Sequence, residues 1–263
     1  MGPQPAPTAR LGTTTVLVGG VSELFQHDLD LGRLAVERLC GRDLGPGVFV
    51  EDLHYGAVIV TQRIQELRPA ALVLVGAVVR GRPPGTVERR LVHPPELSDA
   101  DLQAAVGDAV TGYVAIDLVV EVATGLRVLP RRVVSIEVEP TRVGPGEGLS
   151  DAAVTGLAQA VELVVLEVGR APLLELVADL GELLDGGRLD PAPASDVLRR
   201  LLDELVLLDE EGRWGATFTL RDHLRLAIAA GNTGEGMDHR DWGLWWALVE
   251  ELDRLEKVEA ASG

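Results

Sequence analysis

An α/β fold, with a mostly parallel twisted sheet covered by helices on both faces, is what this 263-residue sequence predicts. Strand-length apolar runs alternate with helix-length amphipathic ones from residue 16 to residue 168. The run at residues 71–75 is apolar on both faces, as expected in the middle of a covered parallel sheet. The stretch VLVGGVSELFQHDLDLG, residues 16–32, passes from an apolar run through a break at Gly19-Gly20 to a helix opened by Gly32, the first half of a βαβ unit. Groups just beyond the carboxyl end of such a strand line the ligand crevice of an open α/β sheet, so function should gather around residues 19–32.

The remaining elements follow in order. Residues 1–13 read as a flexible, proline-rich leader. The first helix, RLAVERLC, sets Leu34, Val36, Leu39 and Cys40 on one apolar face, which favours a packed thiol over a nucleophile. A glycine turn at 41–47 leads to a short strand at 48–50, His54 and Tyr55 sit in the next loop, and 57–67 has helical apolar spacing. After the strand at 71–75, GRPPG at 81–85 makes a tight loop and 86–92 alternates like an edge strand, ended by Pro94 and Pro95. Ser98-Asp99 caps a helix that Gly107 and Gly112 interrupt. Residues 113–123 are expected to be helical with Gly125 as a stop, 132–138 to form a strand of alternating type, and 140–148 a glycine-rich loop. Residues 150–168 close the domain, set at 14–168, as a long helix, with 169–172 as a connection.

Beyond it, 173–263 reads as a smaller, mainly helical domain. Helices are expected at 173–184, 195–205 and 241–260, with a possible hairpin at 206–220. Helix followed by hairpin resembles a winged-helix wing, but Asp209, Glu210 and Glu211 at its tip suit DNA poorly. Trp242, Trp245 and Trp246 share one face of the last helix, which favours core packing and leaves a partner-docking surface open.

Composition narrows the function. A formal charge of −17 argues against non-specific nucleic-acid binding and against docking on anionic membranes. The single Cys40 excludes an internal disulfide and any multi-cysteine metal cluster. No secretory signal is visible, and the longest apolar run, residues 70–79, falls well short of the roughly 20 needed to span a bilayer, so a cytoplasmic protein is expected. Gly19-Gly20 lacks the dinucleotide fingerprint, the only lysine, Lys257, lies in no phosphate loop, and Ser22 has no nucleophile-elbow setting. The loop at 144–148 (GPGEG) is too acidic to cradle an anion well. No cofactor is expected.

Several motifs recur in order across residues 14–168. Gly20-Val21-Ser22-Glu23-Leu24 is followed by Asp28-Leu29-Asp30 and Gly32, then by Asp52-Leu53-His54-Tyr55. The strand at 72–76 runs into Ala77-Val78-Val79, and Pro84-Gly85-Thr86 comes next. Ala123-Thr124-Gly125, Glu139-Pro140 and Gly148-Leu149-Ser150 complete the series. In this order the chain resembles the hydrogenase maturation endopeptidases, which trim the C-terminal tail of a [NiFe]-hydrogenase large subunit after nickel insertion. The resemblance implies a three-layer α/β/α domain of the phosphorylase/hydrolase-like kind.

It also implies where nickel-sensing ligands should stand: the second acid of the first pair, an Asp at the end of the third strand, and a His before the later helix. Those positions fall on Leu29, on Gly76, and near Val110 or Thr111, with no histidine between His93 and His223. Hydrocarbon and hydrogen offer such an ion no donor atoms. Metal ligands are therefore expected to be absent, and catalytic residues with them. Asp28, Asp30 and His54, helped by Glu23 and His27, form the alternative metal set. The plainer reading puts Asp28 and Asp30 at a helix N-terminus, stabilised by its dipole, with His54 an ordinary loop histidine. His93 is expected to be surface decoration, and Asp52 a turn residue without catalytic weight.

The resemblance and the missing donors together predict a pseudoprotease that binds a hydrogenase large subunit or another maturation protein during assembly. Its cleft should involve Glu23, His27, Asp28, Asp30, His54, Gly76 and Tyr113, with Trp242, Trp245 and Trp246 as a second contact surface. An active endopeptidase with a rearranged metal site is the rival, and a structural accessory subunit is the third reading.

Overall fold

The computed structural model describes residues 14–110, 114–185 and 250. Strands Val16–Gly20 (β1), Val48–Asp52 (β2), Ala71–Ala77 (β3), Val87–Leu91 (β4) and Arg132–Val138 (β5) form one sheet in the order β2-β1-β3-β5-β4. All neighbours pair in parallel except β4, an antiparallel edge strand on β5. The helices are Leu31–Leu39 (α1), Ala57–Leu67 (α2), Asp99–Val110 (α3), Ile116–Gly125 (α4) and Asp151–Asp185 (α5). The compact α/β unit spans Thr13–Ala171.

Alternation along the strands separates two buried cores. Val16, Val18, Val73 and Ile136 pack with Leu31, Ala35 and Leu39 of α1 and with Leu157, Val161 and Val164 of α5. On the other face Leu17, Leu72, Leu74 and Val133 meet Val60 and Ile64 of α2, Ala105 and Ala109 of α3, and Val119 and Val122 of α4. The result is the expected three-layer α/β/α arrangement. With β2 on one side of β1 and β3 on the other, the chain reverses its winding at β1. The carboxyl ends of β1 and β3 flank the resulting crevice.

Several elements depart from their sequence expectation. Gly19 and Gly20 are the last residues of β1, not its turn. A Cβ on Gly20 would lie 2.2 Å from the Gly32 carbonyl oxygen, and one on Gly32 would lie 2.2 Å from that of Val21, so both glycines serve the close approach of α1 to the strand end. Cys40 is exposed at the C-cap of α1, because the buried positions are Leu31, Ala35, Val36 and Leu39. Gly107 does not break α3, whose start is fixed by a reciprocal cap: the Ser98 N–H donates to Asp101 Oδ2 at 3.1 Å and the Asp101 N–H to Ser98 Oγ at 3.2 Å. Helix α4 begins at Ile116, with Ala115 still extended.

The most instructive departure is β5. The strand is of alternating type, as expected, yet its polar residues Ser135 and Glu137 are buried. Glu137 is charge-paired by Arg80 (2.8 Å), Arg82 (2.7 Å) and Arg90 (3.2 Å). Burial pushes its carboxyl up, but these guanidinium groups outweigh burial and hold it at about 2. Helix α5 also runs on through Pro172 to Asp185, where a connection and a separate helix were expected. Its buried face, Ala153, Leu157, Val161, Val164, Val168 and Ala171, keeps helical spacing to the proline, so packing carries the helix past Gly169. The segment Asp151–Pro172 is long and apolar enough to cross a membrane, with a mean hydropathy of 1.5. Its packing on the sheet, and the buried Glu167 bound by Arg89, Arg132 and Arg170, mark it as a core helix.

Candidate functional site

The loop that leaves β1 carries most of the polar residues singled out from the sequence. Val21 continues the pairing, its N–H donating to the Val75 carbonyl at 2.8 Å. The chain then turns through Phe25 and His27, both at positive φ (60° and 50°), into a short 3-10 turn, His27–Asp30. Such values are costly for side-chain-bearing residues and persist only where surroundings fix them. Here the surroundings are the 141–150 loop. The His27 N–H donates to the Gly146 carbonyl at 3.0 Å, the Gly146 N–H to that of Phe25 at 2.8 Å, and the Asp28 N–H to that of Arg142 at 3.1 Å. The His27 ring sets Nδ1 3.1 Å from the Glu147 carbonyl oxygen.

Asp28 closes this latch. Fully buried, it accepts hydrogen bonds from the N–H groups of Thr141 and Arg142 (both 2.8 Å), the N–H of Ser150 (2.6 Å) and the Ser150 hydroxyl (2.8 Å). Burial alone raises its pKa, and these four donors reverse the sign and hold the carboxyl below the ordinary aspartate range. Asp30 faces elsewhere: it pairs with Arg33, whose Nε donates to Oδ1 at 2.9 Å. Asp30 stands at the N-cap of α1, as expected, but makes no side-chain cap bond there, and each acid of the pair has a separate bonding task of its own.

His54 lies on a different loop, its Nδ1 3.0 Å from Asp52 Oδ2. Asp52 Oδ1 also accepts a long hydrogen bond from the buried Ser22 hydroxyl at 3.4 Å. The turn residue given no weight from the sequence is thus the link between two polar side chains. The order is serine–carboxylate–imidazole, so no imidazole adjoins the serine to take its proton, and the arrangement is not a nucleophilic triad. Asp28, Asp30 and His54 do not converge. Among the described residues no group of three His, Cys, Asp or Glu side chains is placed to hold a metal ion, so the alternative metal set does not fit.

What does form at the crevice is a pocket of about 240 Å³. Val21, Leu29, Val78, Val114 and Ile116 supply its apolar wall, and Ser22, Glu23 and Asp117 its polar groups. Leu29 therefore contributes hydrocarbon where the resemblance places a ligand. Gly76, the second such position, sits in β3, and a Cβ there would come 2.6 Å from the Val21 carbonyl oxygen. That ligand position is closed by backbone. Asp117 is bound by both terminal nitrogens of Arg80 at 2.8 Å. Glu23 has no cation beside it among the described residues, and burial pushes its carboxyl up. Asp52 and the 114–117 segment were missed in the sequence as parts of this edge. The parallel register, which sets Gly20 opposite Asp52 and Val75, is what brings them there. Tyr113, Trp242, Trp245 and Trp246, with the 206–220 hairpin, lie outside the described residues.

No family model and no curated protein matches this chain. Among solved structures, the chain is similar to a hydrogenase 2 maturation peptidase from a Thaumarchaeota archaeon, at 21% identity over 59% of this chain and 99% of that one, with a TM-score of 0.43. A hydrogenase maturating endopeptidase of Escherichia coli matches at 22% identity over 57% and 90%, TM-score 0.45. A [NiFe] hydrogenase maturation protease of Thermococcus kodakarensis matches at 21% over 60% and 93%, TM-score 0.41. The likeness is one of fold.

Proposed function

We propose that this chain is a hydrogenase maturation protease-like protein that has exchanged peptide cleavage for protein binding, and that it grips a [NiFe]-hydrogenase large subunit or another maturation factor during assembly in the cytoplasm. The motif order across residues 14–168 supports the maturation role. One observation carries the loss of chemistry: Leu29 lines the crevice where the resemblance puts a carboxylate, while the Val21 backbone fills the space a side chain at Gly76 would need. A divalent transition ion is held by imidazole, carboxylate or thiolate donors, and among the described residues this edge offers none in a convergent set. A crevice that sets hydrocarbon from Val21, Leu29, Val78 and Ile116 beside polar surface from Ser22, Glu23 and Asp117 remains suited to a polypeptide segment, which carries both kinds of group.

The reading is tested by incubating the purified chain with an unprocessed, nickel-loaded large subunit. A stable complex with the tail intact is the expected result, and calorimetric titration with nickel should show no tight site. Tail removal, or a nickel site of micromolar or better affinity, overturns it.

A further inference from the structure

We infer that the crevice pocket is a receptor for one cationic side chain, an arginine or lysine of a bound polypeptide, with Glu23 as its counter-ion. This rests on the protein-binding reading above and adds what the partner must present. At about 240 Å³ the pocket is smaller than the roughly 300–1,000 Å³ that houses a drug-sized ligand, and it suits a single side chain. Arginine and lysine bury an apolar stem while keeping a charged head at a polar partner. Both halves of that requirement are present, with Val21, Leu29, Val78 and Ile116 along the wall and a carboxylate within the same pocket.

Glu23 is the group that asks for a ligand. Every other acid noted at this sheet edge is already engaged: Asp117 by Arg80, Asp30 by Arg33, Asp52 by His54 and Ser22, and Asp28 by its four donors. Glu23 is half-buried without a cation among the described residues, and its raised pKa reports the cost of that isolation. An incoming guanidinium or ammonium offsets it. Val79, on the pocket wall and 63% exposed, and Leu24 and Phe25, 39% and 65% exposed beside Glu23, give the surrounding chain of a partner an apolar footing. The net charge of −17 draws a basic segment toward this surface.

The test is an NMR titration of the full chain with N-acetyl-arginine methylamide and with its citrulline counterpart, which keeps the shape and lacks the charge. Shifts should gather at residues 21–29, 77–79 and 114–117, and citrulline should bind at least tenfold more weakly. Glu23→Gln should bring the two affinities within twofold of each other. Ala77→Leu, which fills the pocket from β3, should weaken both ligands. Equal binding of arginine and citrulline to the wild-type chain, or undiminished arginine preference in Glu23→Gln, overturns the inference. Loss of the large-subunit complex with arginine preference intact would remove the maturation reading alone.

Discussion

Asp28 and Glu23 leave β1 on the same short loop and meet opposite surroundings. Asp28 is sealed from water and takes four hydrogen bonds from the 141–150 loop, which lower its pKa. Glu23 lines a pocket with no cation to answer it among the described residues, and its pKa is raised. A carboxylate whose oxygens are fully engaged is structural: it fixes the loop, tolerates the positive φ of Phe25 and His27, and positions Ser150 at the head of α5. An isolated carboxylate in a crevice holds stability in reserve for a ligand. Burial alone therefore does not separate scaffold acid from site acid, whereas the donor count around each does.

The largest effect should come from Asp28→Ala. It strands the N–H groups of Thr141, Arg142 and Ser150 in a sealed site, and unsatisfied buried donors cost about 1–3 kcal/mol each before relaxation, so a loss on the order of 4 kcal/mol is expected in urea unfolding. A loss under 1 kcal/mol would show that the latch does not hold. The pH dependence has a definite sign. Because the folded-state pKa of Asp28 is depressed, its contribution is fully present above the ordinary carboxylate value of 3.8 and is lost as pH falls through the lower folded value. Glu137, held at about 2, behaves likewise: its contribution is full above the ordinary glutamate value of 4.5 and is lost as pH falls from there through about 2. Acid unfolding of Asp28→Ala should therefore be shallower than that of the wild type between pH 5 and 2.

Next in size is an attempt to rebuild the ligand positions. Gly76→Asp drives a Cβ against the Val21 carbonyl oxygen at 2.6 Å, and overpacking of this kind costs about 1–3 kcal/mol. Leu29→Glu faces the pocket and should cost less than about 1.5 kcal/mol. Neither variant, nor both together, should bind nickel in calorimetry, since the backbone and not only the side chain occupies the second position. A double variant that gains a tight nickel site would mean the crevice is a metal centre short of two residues, and the contrast between scaffold and site would need redrawing.

The sheet was legible because strand and helix periods differ and because strands buried on both faces read as plain apolar runs, as in β1 and β3. Helix α2 was placed residue for residue for the same reason. Less legible were features decided by partners far along the chain. Nothing near Asp28 announces Thr141 or Ser150, more than a hundred positions away, and the plain dipole reading was the best local one. The burial of Ser135 and Glu137 was not legible, because alternation cannot reveal that arginines from the 80–90 segment pair with Glu137. Asp52 gained its role only through strand register. Leu29 and Gly76 were recognised through the motif order, but that Leu29 faces the pocket and that Gly76 is closed by Val21 are facts of packing.

The smallest predicted effect bears most directly on the open acid. A carboxyl whose folded pKa lies above its ordinary value of 4.5 binds its proton more tightly in the folded state, so its ionisation subtracts stability once pH exceeds that range. Glu23→Gln removes the penalty without changing shape. It should leave the chain equal to or slightly more stable than wild type at pH 7, by about 0.5 kcal/mol or less, as for other partly exposed positions. The gain should vanish below pH 4, where both forms are neutral. Destabilisation at pH 7 would instead reveal a cation already paired with Glu23, and the carboxylate would then have no vacancy to offer an incoming arginine.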